Sequence, residues 1–335
     1  MKKFNVAILG ATGAVGREML KVIEEYNIPV NELRPLASAK SAGTEIDFQG
    51  RKVKVMEATD DSFEDMDFVL GAVQNPMSKR FAPAIVKAGA VYIDNSSAFR
   101  MDPEVPLVVP EINGEDAFNN KGIIANPNCS TIITLMAVAG IAKVSPIKNM
   151  IACTYQAVSG AGINGLTELE DQMKALTVGG EIVHKTFPTQ IAANVIPFIG
   201  DLKDNLYTSE EMKMQNEGRR ILHLPELLVT CTCVRVPVMR SHSISVTLRT
   251  ERKVSIEEAN EAIRGFDGVR LIDDIDGRCY PTPLDTSNQD IVYVGRVRDD
   301  LTDDHGLTLW CCGDQVRKGA ASNAVQIMKK LIERA

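Results

Sequence analysis

The chain has 335 residues, of which 44% are hydrophobic and 24% are charged, and this length is sufficient for two domains with buried cores. Its formal net charge of −7 argues against a general affinity for nucleic acid or for acidic membranes. Lys2 and Lys3 lead directly into an apolar segment, and no apolar stretch is as long as a membrane span. We therefore expect a soluble, cytoplasmic protein that binds small molecules.

The first half of the chain predicts a sheet of parallel strands. Residues 4–10 form a continuous apolar strand, residues 10–16 a glycine-containing turn, and residues 17–25 a helix. Further short apolar strands are predicted at residues 33–37, 67–73, 91–94, 107–109 and 122–125. Short apolar strands joined by crossovers indicate a doubly wound, Rossmann-like α/β domain, which we assign to residues 1–128.

The glycine turn is a candidate dinucleotide site. Gly10, Gly13 and Gly16 form GxxGxxG, in which Thr12 occupies the place of the middle glycine of the commoner G-x-G-x-x-G pattern. The turn follows a strand and opens a helix, where backbone N–H groups favour a pyrophosphate. The alternative is a tight strand-to-helix turn without a ligand. The residues predicted to bind the coenzyme here are Gly10, Ala11, Thr12, Gly13, Ala14 and Val15.

The end of the second predicted strand indicates which coenzyme is preferred. An NAD site usually carries an Asp or Glu about 20 residues beyond the glycines, to bind the ribose 2′-OH. This chain instead has Ser38, Ala39, Lys40 and Ser41 at that distance. Two hydroxyls and an ammonium suit a 2′-phosphate, so the sequence favours NADP, unless Lys40 is simply a solvated loop lysine.

Cys129 lies where the apolar strand 122–125 gives way to a mostly apolar helix. Backbone N–H groups at a helix N-terminus favour an anion, so a thiol there ionises more readily and becomes a nucleophile. The same groups can hold an oxyanion. The alternative is a half-buried core cysteine. The seven cysteines contain no C-x-x-C pair and the four histidines no i, i+4 pair, so we expect no metal.

Longer strands follow in the second half, with an alternation of polar and apolar residues that is clearest at residues 242–248. The strands are predicted at residues 149–158, 227–236, 243–250, 291–298 and 307–312. The helices are predicted at residues 164–177, 208–222 and 255–264, the second opened by a capping box of Thr208 and Glu211. We assign residues 129–315 to an α+β domain with a mixed, largely antiparallel sheet. A final helix, within residues 316–335, is expected to pack on the first domain.

Several ordered motifs together resemble the aspartate-semialdehyde dehydrogenase family over nearly the whole chain. They are GATGAVG (10–16), LASAKSAG (36–43), NSSAFR (95–100), NPNCST (126–131), QAVSGAG (156–162), RVPVMRSHS (235–243) and GDQVRKGAASNAVQ (313–326). The resemblance implies a reversible oxidation of aspartate 4-semialdehyde to aspartyl phosphate that uses NADP and inorganic phosphate. In cells that reaction runs reductively, toward lysine, threonine and methionine. The resemblance also implies a homodimer or homotetramer built through the second domain.

The resemblance assigns roles to individual residues. Cys129 would be the nucleophile that forms a thiohemiacetal and then a thioester, His242 the acid/base, and Gln156 the residue that orients the acyl group. Arg235 would bind the substrate carboxylate and Glu210, rather than Glu211, the substrate ammonium. Phosphate would be bound by Arg100, Lys213 and Asn128, with Asn95 nearby, and the coenzyme also by Ser159, Gly160 and Gln315.

Alternative functions share parts of this pattern. N-acetyl-glutamyl-phosphate reductase uses the same thioester chemistry, but its nucleophile typically lies in a Gly-Cys-Tyr context, whereas Cys129 lies between Asn128 and Ser130. Glyceraldehyde-3-phosphate dehydrogenase is disfavoured because its Ser-Cys-Thr-Thr-Asn signature is absent. A CoA-linked reductase such as malonyl-CoA reductase differs only in its acyl acceptor. An NADP(H)-binding redox sensor, in which Cys129 is oxidised, is the non-enzymatic alternative.

Overall fold

A computed structural model describes residues 2–334 of the chain. The chain forms two compact units: one runs to Asn128 and resumes at Ala320, and the other is Cys129–Gly319. The first predicted boundary falls at the same place. The second lies four residues later than predicted, because residues 316–319 belong to the second unit. A Cβ on Gly319 would lie 2.9 Å from the Cβ of Cys129, at the other end of that unit.

The first unit contains β1 Phe4–Leu9, α1 Ala14–Glu25, β2 Val30–Ala37, β3 Glu45–Phe48, β4 Arg51–Lys54, β5 Met56–Glu57, β6 Phe68–Gly71, α2 Asn75–Lys87, β7 Val91–Asp94, α3 Pro110–Asn113 and β8 Ile123–Ala125. The second contains α4 Cys129–Val144, β9 Ile147–Gln156, α5 Gly162–Val178, α6 Ser209–Ile221, β10 Leu228–Arg235, β11 His242–Thr250, α7 Ile256–Arg264, β12 Val269–Leu271, α8 Pro283–Thr286, β13 Val292–Asp299 and β14 Gly306–Gly313. A π-helical turn at Arg317–Ala321 leads into α9 Ser322–Arg334, in the first unit. Among the described residues, no helix is long and apolar enough to cross a membrane.

The first unit is built on a parallel sheet with strand order β5-β2-β1-β6-β7-β8. Side chains of β1 alternate between two cores: Val6 and Ile8 pack in a cluster with α1 and α9, and Ala7 and Leu9 in a cluster with α2. Both faces of the sheet are therefore covered, as the continuous apolar strands predict. The expected doubly wound fold is confirmed, and α9 packs on this unit.

The predicted strand at residues 107–109 is wrong. Leu107 makes a single bridge to Ala125, and the segment does not continue as a ladder. Pro106 and Pro110 flank it, and proline has no N–H to donate to a neighbouring strand. The apolar composition of residues 107–109 alone therefore led to the wrong prediction of a strand. The sequence also missed the hairpin of β3 and β4 and the short strands β5 and β12, which are partly polar or only two or three residues long.

The glycine turn connects β1 to α1 at the point where strand order changes direction. Gly10 has φ +91°, and a Cβ on it would lie 2.5 Å from the carbonyl oxygen of Ala72, just beyond β6. A Cβ on Gly16 would lie 2.3 Å from the carbonyl oxygen of Gly10. These two glycines let strand and helix approach each other closely. Gly13, by contrast, would make only ordinary contact at 3.4 Å.

The second unit is built on a mixed sheet of order β10-β9-β11-β14-β13-β12, in which β10 with β9 and β12 with β13 are the parallel pairs. The pairs among β9, β11, β14 and β13 are antiparallel, as expected. Helix α4 packs on one face and is buried from Ser130 to Ile141. On β9, Ile151 and Tyr155 are exposed and alternate with buried neighbours.

We predict that Gly16→Ala destabilises the first unit by about 1–3 kcal/mol, because the new methyl group meets backbone atoms that cannot move aside. Gly13→Ala is the matched control. Gly13 has φ −75° and room for a methyl group, so its free energy of unfolding should change by less than about 1 kcal/mol. Urea unfolding monitored by circular dichroism measures both. Equal effects of the two substitutions would contradict the packing described here.

Candidate active site

The register of the second sheet gathers three of the predicted site residues at one edge. Gln156 ends β9, Arg235 ends β10, and the two residues are paired in the parallel ladder. His242 begins β11, which runs antiparallel to β9, so it lies at the same edge. Because chain direction and register are fixed by the ladder, these side chains are held on rigid elements rather than on a loop.

Cys129 is the first residue of α4 and is half-buried. Its Sγ lies 3.5 Å from Nε2 of His242. The predicted position at a helix N-terminus is confirmed, and there the helix dipole and the backbone N–H groups stabilise a thiolate. The sulfur therefore has both an electrostatic reason to ionise and a nitrogen partner within reach.

His242 is fully buried and its protonation is set by the backbone. Nδ1 accepts a hydrogen bond of 3.0 Å from the N–H of Ala157, so the neutral ring carries its proton on Nε2. Burial and, to a smaller extent, the charge of Arg235 lower the pKa of His242 to about 3, against the opposing charge of Glu210. The imidazole is neutral near pH 7 and presents an N–H toward Cys129.

Gln156 is held in one orientation. Its Oε1 accepts a hydrogen bond of 2.9 Å from the hydroxyl of Thr154, and its Nε2 donates to Oε1 of Glu210 at 3.2 Å. The amide nitrogen is thereby fixed 3.5 Å from Nε2 of His242. Two N–H groups thus lie together, that of His242 being 3.5 Å from the sulfur, and this arrangement can stabilise an oxyanion.

The two neighbouring glutamates at the start of α6 do different things. Both carboxylate oxygens of Glu211 accept backbone hydrogen bonds, from Thr208 at 2.7 Å and from Cys233 at 3.1 Å. The predicted capping box is therefore confirmed. Glu210 instead faces Gln156 and forms an ion pair of 2.7 Å with Lys213. Between the two glutamates, the geometry selects Glu210 for the site.

Arg235 is buried and lines a cavity of about 330 Å³. Its Nη1 donates to the carbonyl oxygen of Ala157 at 2.7 Å. Burial lowers the pKa of Arg235 and the charge of Glu210 opposes that shift, so the guanidinium stays charged. A Cβ on Gly160 would lie 2.8 Å from Nη1 of Arg235 and 3.3 Å from Cε1 of His242, so a side chain there would enter the site.

Gln315 ties two loops of the site together. Its Oε1 accepts a hydrogen bond of 2.9 Å from the N–H of Ser241, which precedes His242, and its Nε2 donates to the hydroxyl of Ser159. Arg240, to which the sequence gives no catalytic role, pairs with the buried carboxylate of Asp314 at 2.6 Å. In this structure Gln315 and Asp314 brace the polypeptide around His242.

The remaining predicted residues lie in the first unit. Arg100 is buried and donates to the carbonyl oxygens of Asn126 at 2.9 Å and Asn95 at 2.7 Å. The Asn95 side chain donates to the carbonyl oxygen of Gly71 at 2.7 Å and accepts from Asn126 at 2.8 Å. Asn128 is buried next to Cys129 in the chain. Asn95 and Arg100 therefore also hold the strand ends of this unit in place.

The glycine turn fits a nicotinamide dinucleotide. Gly13 caps α1 without a side-chain hydrogen bond, and the first turn carries no acidic residue. The backbone N–H groups and the positive end of the helix therefore favour the binding of an anion here. Beyond β2, Ser38, Ala39 and Lys40 are exposed and Ser41 is half-buried in a turn. These residues are available to a ligand, and no carboxylate lies among them.

The other cysteines differ from Cys129 in their surroundings. Cys231, Cys233, Cys311 and Cys312 are buried, and burial raises the pKa of Cys312 to about 11. Cys153 is half-buried and Cys279 exposed. Within residues 2–334, no group of three or more His, Cys, Asp or Glu side chains could hold a metal ion.

Comparison with known proteins identifies the class of enzyme that this fold and site define. Residues 5–120 match the family model described as "Semialdehyde dehydrogenase, NAD binding domain", and residues 138–318 match "Semialdehyde dehydrogenase, dimerisation domain". The chain is thus an oxidoreductase with a nicotinamide-nucleotide-binding domain, and the α/β and mixed-sheet architecture agrees with that class.

Full-length relatives narrow the class. The chain is 47% identical to aspartate-semialdehyde dehydrogenase from Synechocystis over 98% of this chain and 97% of the relative, and 44% identical to that from Bacillus subtilis over 98% and 97%. A crystal structure of aspartate semialdehyde dehydrogenase II from Vibrio cholerae complexed with ASA superposes with a TM-score of 0.97, at 42% identity and 99% coverage of both chains. The chain belongs to the aspartate-semialdehyde dehydrogenase family.

We predict that His242 makes the protein lose stability as the pH falls below 6.5. The folded pKa of about 3 lies below the ordinary value of 6.5, so in this window the unfolded chain binds a proton that the folded chain does not. Between pH 6.5 and 5.5 this costs about 1 kcal/mol. His242→Asn, whose Oδ1 can still accept from Ala157, should show a smaller loss in urea unfolding. An identical pH dependence would contradict the buried neutral imidazole.

Proposed function

We propose that the protein is an NADP-dependent, phosphorylating aspartate-semialdehyde dehydrogenase. The reaction converts L-aspartate 4-semialdehyde, NADP⁺ and inorganic phosphate into L-4-aspartyl phosphate, NADPH and a proton, and runs reductively in amino-acid biosynthesis. The observation that carries the proposal is the half-buried Cys129 at a helix N-terminus, with its Sγ 3.5 Å from Nε2 of a buried, neutral His242. Full-length relatives of this name support the choice of substrate.

The first step is addition of the Cys129 thiolate to the aldehyde carbon. The carbonyl π electrons move to oxygen, which becomes an oxyanion. The Nε2–H of His242 and the fixed Nε2 of Gln156 are donors that stabilise this charge. In this geometry His242 carries its proton on Nε2 and shares it with the substrate oxygen in a hydrogen bond. This is how the residue would act in its predicted acid/base role.

The oxyanion then reforms a carbonyl group as hydride leaves the same carbon. A bound nicotinamide coenzyme supplies the acceptor for that hydride. The result is an acyl thioester on Cys129. Phosphate attacks the thioester carbon, and the C–S bond breaks to return the thiolate and release the acyl phosphate. The roles predicted for Arg100, Lys213 and Asn128 in phosphate binding stay predictions.

Charged groups in the second unit match the amino-acid end of the substrate. The buried guanidinium of Arg235 can bind the α-carboxylate with paired N–H groups, and Glu210 can accept from the α-ammonium. Lys213 holds Glu210 in place through the ion pair of 2.7 Å. A redox sensor does not need two opposite charges at this place. A substrate that carries both a carboxylate and an ammonium can bind to both of them.

The preference for NADP, the dimer and the cytoplasmic location also belong to this proposal. Lys40 with Ser38 and Ser41 supports NADP, since an ammonium attracts a 2′-phosphate and no carboxylate repels it. The match to a dimerisation domain supports a dimer, with a dimer of dimers as the larger possibility. The reduced, largely buried cysteines are typical of a cytoplasmic protein.

We predict that the purified protein reduces NADP⁺ with aspartate semialdehyde only when inorganic phosphate is present. Cys129→Ala should lower kcat at least about a thousandfold, because it removes the bond-forming atom. Absorbance at 340 nm measures both. Cys279→Ala, at an exposed cysteine, is the matched control and should be fully active.

Four outcomes would reject the proposed function. Turnover with CoA in place of phosphate would indicate a CoA-linked enzyme on the same scaffold, and turnover without either acceptor would indicate hydrolysis of the thioester by water. Turnover that survives Cys129→Ala would remove the thioester mechanism. Oxidation of Cys129 by peroxide without any turnover of the aldehyde would favour the redox sensor.

We predict that Lys40→Glu raises the KM for NADP⁺ about tenfold to a hundredfold, because it replaces a charge-assisted contact of about 1.5–3 kcal/mol with repulsion. The KM for NAD⁺ should not rise. Lys54→Glu, at an exposed lysine of β4, is the control for a change of net charge. An unchanged ratio of the two kcat/KM values would refute the assignment of Lys40.

A further inference from the structure

A segment without regular secondary structure forms one wall of the Arg235 cavity. Residues 181–192 follow α5 and contain Thr186, Phe187 and Pro188, all of which line that cavity. The guanidinium carbon of Arg235 lies 6.0 Å from the centroid of the Phe187 ring, at the limit of a cation–π contact. The position of this segment therefore decides what Arg235 faces.

Glu168 on α5 holds the segment through consecutive backbone N–H groups. Its Oε2 accepts from Lys185 at 2.9 Å and from Thr186 at 2.5 Å, and its Oε1 accepts from Phe187 at 3.3 Å. Glu168 itself is buried. Burial would raise its pKa, but the backbone donors outweigh burial and leave the pKa lowered, so the carboxylate is ionised.

Gln172, one turn further along α5, extends the same arrangement. Its Oε1 accepts from the N–H groups of Ile191 at 2.9 Å and Ala192 at 3.0 Å, and its Nε2 donates to the carbonyl oxygen of Val183 at 3.0 Å. Nε2 also lies 3.4 Å from Oε1 of Glu168. Two buried side chains of α5 thus provide hydrogen-bond partners for backbone groups of this loop, which has no regular secondary structure of its own.

Packing beneath residues 181–192 also holds the ring of Phe187 in place. Phe187 is buried in a cluster with Val158, Leu169, Ile191, Ala192 and Ile196. A Cβ on Gly165, in α5, would lie 3.2 Å from Cζ of Phe187, so helix and ring are in close contact. Arg235 joins the other side of the cavity through its backbone bridge to Ile196, with N–H to oxygen distances of 2.8 and 2.9 Å.

We propose that Glu168 is a positioning residue for substrate specificity: through the backbone of residues 185–187 it sets Phe187 against Arg235, and so fixes the guanidinium for a carboxylate-bearing aldehyde. The inference rests on the proposed function, since it takes Arg235 as the group that binds the α-carboxylate. Glu168 acts through the loop, and its effect should appear in substrate affinity and not in the bond-forming step.

The test compares Glu168→Gln with wild type on two aldehydes. Glutamine has one acceptor oxygen where glutamate has two, so at least one loop N–H meets an NH₂ group and loses its partner. We expect the KM for aspartate semialdehyde to rise about tenfold, while kcat changes less than about threefold. With 3-aminopropanal, which lacks the carboxylate, kcat/KM should be the same for both proteins.

Matched variants separate positioning from general damage. Glu168→Asp keeps both acceptor oxygens and should recover part of the lost affinity. Glu170→Gln changes an exposed carboxylate of the same helix and should leave every constant unchanged. Phe187→Leu removes the ring without touching Glu168, and should raise the KM for aspartate semialdehyde but not alter kcat/KM for 3-aminopropanal.

Hydrogen exchange tests the loop independently of the reaction. In wild type the amides of residues 185–187 should be protected, and in Glu168→Gln they should exchange at least about tenfold faster, while β9 stays protected. Unprotected amides in wild type would overturn the inference, as would an equal loss of kcat/KM with both aldehydes. If wild type shows no turnover of aspartate semialdehyde, the proposed function fails, and the exchange experiment still decides whether Glu168 holds the loop.

Discussion

The hydrogen bond from the Ala157 N–H to Nδ1 of His242 is the constraint on which the site depends. A buried imidazole with one nitrogen already accepting must carry its proton on the other, and here that nitrogen faces Cys129. The proton is held in place without charge on the ring, so the site gains a donor, while the helix N-terminus and the charge of Arg235 favour a thiolate. The tautomer is fixed by the backbone, and the backbone is fixed by the ladder of β9 with β11.

Local patterns made much of the fold predictable. The strand, turn and helix at the start of the chain, the capping box of α6 and the helix that begins at Cys129 are each encoded within a few adjacent residues. The strand predicted at residues 107–109 was wrong because that prediction also used only local composition, and apolar composition does not show whether a neighbouring strand continues the ladder. The strand pairing that joins Gln156, Arg235 and His242 depends on residues far apart in the chain, and only the family resemblance linked them beforehand.

Groups that act through the backbone leave no signal in the sequence. Ala157 contributes an N–H and a carbonyl oxygen to the site, and any residue except proline could supply the N–H. Glu168 is one of two glutamates on α5, and only its rotation toward the loop distinguishes it from Glu170. The same holds for Glu210 and Glu211, which are adjacent in sequence but face a site and a backbone, respectively. The direction in which each glutamate points from the helix axis, and not the residue type, therefore decides its role.

The burial of the cysteines divides the sulfur chemistry of this chain into two kinds. Four thiols are enclosed by the second unit, and those held protonated by their surroundings resist alkylation and oxidation at neutral pH. Cys129 combines partial access with an electropositive helix end. An electrophilic inhibitor would therefore react with Cys129 in preference to the four enclosed thiols, and the same reactivity exposes the enzyme to inactivation by peroxide at this sulfur.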